Sequence, residues 1–378
     1  MKTRNAQFIL AILTIVLLGN NISLTQDEYK SRTFNVSKGG KLEVRIDIGE
    51  IIIRTWDKNE VYVKYEEWDE DGELRISQKG NTIEIESGSS YEGSDLEITV
   101  PSQFNLDLNT NGGNIDIVNN ISGKVECATS GGNVTTKEIN GEADLSTAGG
   151  NIRTGNIKGN ADISSGGGDM IIGMIEGSAN LSTGGGNIVI GKVKKSLNIS
   201  TGGGNISTDD IGGTAQISTG GGNVSVGNIS GNASVSTGGG NISLDGADGE
   251  VKVSTGGGDI DLNNIRGNVK ISSGAGDLTV KFLSVGSGES KITTGYGDVK
   301  IYLPEDVKAT VSVRIRELGW VTDEEDIKEN LESDFKASQL DINKERGEIK
   351  ATYTLNGGGT NIKVETSIGK VEIRKLRK

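Results

Sequence analysis

Apolar and polar side chains alternate through most of this chain in short bursts, and the bursts recur every 18 residues. Ala215, Ile217 and Thr219 stand two apart, as do Val224 and Val226; across the repeats the positions between are mainly Ser, Asn, Asp, Lys and Glu. A period of two is the mark of a strand with one face buried. Starting at Cys127, nine units stack in register without a gap, beginning at Cys127, Leu145, Ile163, Leu181, Ile199, Ile217, Val235, Val253 and Ile271. Each reads roughly [ILV]-S-T-G-G-G-[ND]-[IV], followed by further alternation. Such a unit predicts two or three very short strands separated by sharp bends. A unit this small cannot bury enough apolar surface to fold alone, so neighbours must stack strand on identical strand. The pattern therefore predicts an all-β fold, a parallel β-solenoid (β-helix-like) of 18-residue coils with irregular capping regions at both ends.

The same phase continues outward. "TNGGNIDI" at 110–117 precedes the regular units one residue out of register, and "TGYGDVKI" at 294–301 follows after a three-residue insertion. "IDIGEIII" at 46–53 and "TSIGKVEI" at 366–373 keep the skeleton with fewer glycines. The expected organisation is a signal peptide over 1–25, an N-terminal β cap with the first coils over 26–109, the regular solenoid over 110–301, and a C-terminal cap with the final coils over 302–378. Pro101 and Pro304 each end one strand before another alternating strand. Asp323 to Phe335 is the best candidate for a short helix in the mature chain.

The Ser-Thr-Gly-Gly-Gly runs are expected to be corners. They predict glycines at φ values that a Cβ forbids, in turns stacked too closely for side chains. On this reading Gly203→Val should be far more damaging than Ser207→Val. The Asn/Asp column from Asn133 to Asp277 is expected to tolerate left-handed backbone and to hydrogen-bond along the stack.

Composition narrows the function. The chain has 378 residues, 58 glycines, two prolines, one cysteine and no histidine, with a formal net charge of −13. Its acidity argues against nucleic acid and anionic membrane surfaces as partners. The absence of histidine removes the commonest general base and transition-metal ligand. Lys2 and Arg4 precede an 11-residue apolar run, Phe8 to Leu18. That run is too short to span a membrane and reads as a signal peptide cut near Gln26. The mature chain is thus expected to be exported, to the periplasm, the cell surface or the medium, with no integral membrane span. Cys127 occupies a column otherwise held by Leu and Ile and is expected to be a buried small hydrophobe.

"GGKLEVRIDIGEIIIRTWDKNEVYVKYE", the "GGNI" turns, "GDVKIYLPED" and the closing "LNGGGTNIKVETSIGKVEIRK" resemble the bacterial DUF4097-type, adhesin-labelled family over roughly residues 30–378. The resemblance implies an exported β-solenoid at the cell envelope, and it carries over no functional residue.

Other chemical readings are weaker. "GNIVIGKV" at 186–193 nearly matches a phosphate-binding loop, but Val193 stands where a metal-binding hydroxyl is needed, and the spacing follows from repeat columns. The GGGN turns lack the second Gly-Gly and the regular Asp of calcium-binding nonapeptides. The acidic run Glu66 to Glu73 is a solvated loop or a weak cation site. Asn-x-Ser/Thr sequons recur too densely for a glycan on every turn.

Nine coils of one length leave no inserted loops to wall a catalytic cleft. The expectation is therefore a non-catalytic, cofactor-free envelope or surface scaffold, adhesive toward an unknown protein or glycan, and able to form a homo-oligomer. The alternatives are an envelope-stress or regulatory protein-interaction module and a carbohydrate-active β-helix enzyme. In the column Thr135, Arg153, Ile171, Val189, Ser207, Ser225, Ser243, Asp261, only Ile171 and Val189 are apolar. With Met174 they form the candidate contact patch, expected to meet the segment around 310–345 or a second copy. Lys158, Glu176 and Lys194 share a nearby column and are expected to pair in alternation.

Overall fold

The structure, a computed structural model, describes residues 29–66, 74–87, 95–316, 329–343 and 345–377. The signal-peptide stretch and most of the acidic run Glu66 to Glu73 lie outside them.

Alternation sets the walls. In a regular coil, Leu197–Thr201 forms a five-residue strand with every second side chain buried. Ile206–Thr208 then forms a three-residue strand with the same alternation. Ile211 closes the coil through single bridges to Val193 before it and Ile229 after it. Strand on strand, these give two long parallel sheets and a narrow third ladder. Ala247, Ile265 and Phe282 continue that ladder where the strands lengthen. The chain is a three-walled parallel β-solenoid. Leu181, Ile199, Ile217 and Val235 make one continuous buried stack, and Ile188, Ile206, Val224 and Ile242 make another.

Polar ladders hold the corner between the two sheets. The Oδ1 of each Asn or Asp accepts the backbone N–H of the equivalent residue one coil on, from Asn114 through Asp298 to Lys370, at 2.7–2.9 Å. The expected ladder is therefore present. Its left-handed backbone is not: the only non-glycine residues at positive φ among the described residues are Asn264 and Asn356. Inside the corner, Thr201 Oγ1 donates to the Gly186 carbonyl at 2.8 Å and accepts from the Gly204 N–H at 3.3 Å. The same donation recurs from Thr129 to Thr255, so a column of buried hydroxyls is paired without water.

The glycines are needed for a different reason than their backbone angles. None of Gly184 to Gly186 or Gly202 to Gly204 lies at positive φ. Instead, a Cβ on Gly202 would sit 2.0 Å from the Gly184 oxygen, and one on Gly204 would sit 2.0 Å from the Gly186 oxygen. A Cβ on the middle glycine, Gly203, would meet nothing within 4 Å. The expectation that Gly203 is a forced corner is thus overturned, because its missing side chain points to solvent.

At both ends the order of strands in the stack departs from their order in the chain. Gly40–Ile46 lies between Thr82–Ser87 and Phe104–Thr110, and Ile51–Trp56 lies between Leu96–Pro101 and Ile115–Ile117. The first coil is thus tucked inside the second. At the other end, Thr360–Ile368 lies between Ser290–Tyr296 and Ala309–Ile315, and Val371–Lys375 lies between Val299–Leu303 and Leu331–Ser333. Antiparallel strands Glu348–Leu355 and Gln339–Asn343 finish that end of the second sheet. The helix expected over Asp323 to Phe335 falls largely outside the described residues. Glu329 and Asn330 are helical, whereas Leu331–Ser333 is a strand laid on Val371–Ile373.

Candidate contact surface

The outward column of the first sheet is where the candidate patch lies. Ile171 and Val189 are adjacent in register and are 40% and 47% exposed. Arg153 and Ser207 flank them along the same column. Met174 follows the corner that ends this strand, half-buried, with its backbone N–H donating to Asn156 Oδ1 at 2.9 Å. The structure thus pairs Ile171 with Val189 on the face and sets Met174 at its margin.

None of the described strands of the segment around 310–345 covers the patch. Ala309–Ile315 pairs within the second sheet, and Leu331–Ser333 pairs at the C-terminal end of the first. Glu332 stands eight strands beyond Val189 in the first sheet. At strand spacing that is roughly 38 Å away. These strands cap the coil end because they satisfy edges that would otherwise be open.

Nearby charges pair differently from expectation. Lys194 meets Glu176 at 3.1 Å, but Lys158 reaches across to Glu138 at 3.2 Å. Lys192 approaches Asp210 at 3.7 Å. The Asp210 carboxyl is held below the usual carboxylate range, chiefly by the Asn228 N–H donating to it. Cys127 is buried in the second sheet's inner column, and burial pushes its thiol pKa far up, which removes nucleophilic character. Among the described residues, no group of three or more potential ligands is placed to hold a metal ion. Nor, among the described residues, is any helix long and apolar enough to cross a membrane.

A second exposed apolar pair escaped the sequence reading. Tyr296 and Ile368, 59% and 43% exposed, are neighbours in register at the C-terminal corners. Their signal was visible in "TGYGDV" and "TSIGKV", where a large side chain replaces the middle glycine.

These features define a parallel β-solenoid protein with paired polar corners and isolated apolar spots on flat faces. Residues 187–330 match the family model described as Toastrack DUF4097. No curated protein sequence matches the chain. Among solved structures, a "putative adhesin" from Bacteroides fragilis is 16% identical, covering 68% of this chain and 97% of its own, with a TM-score of 0.25. A "putative adhesin" from Parabacteroides merdae is 12% identical, covering 68% and 98%, with a TM-score of 0.27. A "putative cell adhesion protein" from Clostridium sporogenes is 10% identical, covering 93% and 100%, with a TM-score of 0.17. Likeness at this level carries no weight for role.

Proposed function

We propose that the chain is an exported, non-catalytic scaffold of the cell envelope that presents its long faces to a macromolecular partner, in the manner of an adhesin. The observation that supports this most is the uninterrupted run of equal coils, which gives flat, regular walls, with Ile171 and Val189 as an apolar spot on one of them. Flat repeated walls suit contact over area, whereas a catalytic site draws on groups gathered by inserted loops.

Surface labelling of intact cells, combined with pull-down by the parent chain and by Ile171→Ser/Val189→Ser, tests it. Labelling from outside and capture that the double variant loses support the proposal. A chain sealed in the cytoplasm, or turnover of a uronic-acid polymer by the purified chain, refutes it.

A further inference from the structure

One outward column of the second sheet is sorted by charge. Asp107, Glu126, Asp144 and Asp162 stand on successive coils. Asn180, Asn198, Gln216 and Ser234 follow, with no charge. Lys252, Lys270, Lys291 and Lys363 come next. Beyond these twelve the column runs on to Glu43 and Glu84 at the acidic end and to Ser312 at the basic end. From Asp144 to Lys363 every member is exposed.

Like charges directly opposite on neighbouring strands are destabilising, so alternation would serve a single chain better. The Asp144 carboxyl shows the crowding: its pKa is raised, first by burial and then by Asp162 and Glu126. Flanking residues relieve only part of the column. Lys41 and Arg45 meet Asp107, Lys124 meets Glu126, Glu250 meets Lys270, and Glu289 meets Lys363. Among the described residues, Asp144, Asp162, Lys252 and Lys291 have no ion-pair partner.

From Asp107 to Lys363 the line is its own complement when reversed. About a two-fold axis between Asn198 and Gln216, Asn180 faces Ser234, Asp162 faces Lys252, Asp144 faces Lys270, Glu126 faces Lys291 and Asp107 faces Lys363. We propose that a second copy of this chain docks antiparallel on the outer face of the second sheet, matching each carboxylate from Asp107 to Asp162 to a lysine of its partner. Such an isologous contact is the commonest form of closed oligomer.

The surface around the axis accommodates this. A trough of 560 Å³ runs beside the column from Ser178 to Lys252, floored by Ala179, Leu197, Ala215 and Ala233. On the other side of the column lies a row of small residues, Ser164 to Ser254, that lets two faces approach. Eleven coil steps by a five-residue strand give roughly 50 Å by 16 Å, about the 800 Å² per partner that a stable dimer covers.

Sedimentation velocity on the purified chain tests the proposal at about 0.1 M and about 1 M salt, where the screening length falls from about 10 to 3 Å. The parent should dimerise at the lower salt and dissociate at the higher. Asp162→Lys or Lys252→Asp alone should weaken the dimer at least tenfold, since each places like charges across the axis twice. The double variant Asp162→Lys/Lys252→Asp should recover it, with all three variants melting as the parent does. A parent that stays monomeric at about 0.1 M salt, single variants that dimerise unchanged, or a double variant as weak as the singles would each overturn it.

Discussion

The carbonyl oxygen of Gly186 occupies the space that a Cβ on Gly204 would need, 2.0 Å from its ideal position. The contact repeats through the stack: Gly222 meets Gly204, Gly240 meets Gly222 and Gly369 meets Gly297 in the same way. It is the closeness of successive coils at this corner that demands glycine.

Gly204→Ala should therefore cost more than Gly203→Ala, by a few kcal/mol, because the first must push two coils apart while the second adds a methyl to open solvent. The chain supplies its own precedent. Ile48, Tyr296 and Ile368 stand in the column of Gly203, whereas Gly49, Gly297 and Gly369 keep the column of Gly204. Thermal melting of the two variants decides; equal midpoints would remove the steric account.

Ile199 is fully buried between Leu181 and Ile217. Ile199→Asp leaves a carboxylate in an apolar stack with no partner, at a cost of several kcal/mol. Ser200→Asp, one residue on and facing water, should stay within about 0.5 kcal/mol of the parent. Paired denaturant titrations check the contrast, and comparable midpoints would mean that the register is wrong.

Acidification should loosen the C-terminal cap. Lys350 and Arg314 hold the Glu348 carboxyl below the usual range, and the Lys375 N–H does the same for Asp334. A carboxylate with a depressed folded pKa contributes stability that is complete above its unfolded pKa, about 3.9–4.3. That contribution is lost as pH falls through the lower folded value. Hydrogen exchange at 309–315 and 348–355 should therefore rise below about pH 4 more than at 215–219 and 233–237, two strands that carry no carboxylate. Glu348→Gln should flatten the difference.

The regular coils were legible because identical neighbours impose one spacing. Cys127, Leu145 and Ile163 could be placed on one inner column from period alone, and the Asn133 to Asp277 ladder followed from it. What failed needed contacts between coils in three dimensions. "TGGGN" does not say which glycine faces its neighbour, although Tyr296 and Ile368 in the middle position carried the answer. The alternation of Lys158 and Glu176 looked like a pair, but Glu138 lies across the corner from Lys158 and takes it. The exchange of end coils was also hidden, since "IDIGEIII" and "TSIGKVEI" fit the repeat equally well in any position of the stack. The charge-sorted column emerges only when outward residues are aligned by strand register across coils.

That exchange of end coils makes the two ends of the chain unequal in importance to their own strands. Among the described residues, Tyr29–Asn35 is an outermost strand that pairs with Glu60–Glu66, and its side chains are exposed apart from partly covered Phe34. Removing residues 29–35 should lower the melting point by no more than a few degrees, because little apolar surface is lost and one edge replaces another. Removing residues 357–378 is a different operation. It withdraws Ile362, Val364, Val371 and Ile373, all fully buried, from between strands on both sides. Ala309–Ile315 then loses its parallel neighbour, and Leu331–Ser333 loses the strand it is laid on. Its fastening to Lys370 and Arg374 through Glu332 goes as well. The C-terminal cap should collapse as a unit and expose Ser290–Tyr296 as a raw parallel edge prone to self-association. Exchange protection should vanish across 309–315 and 348–355 and persist across 125–265. Protection retained at 309–315 in the truncated chain would mean that the cap stands without the coil tucked beneath it.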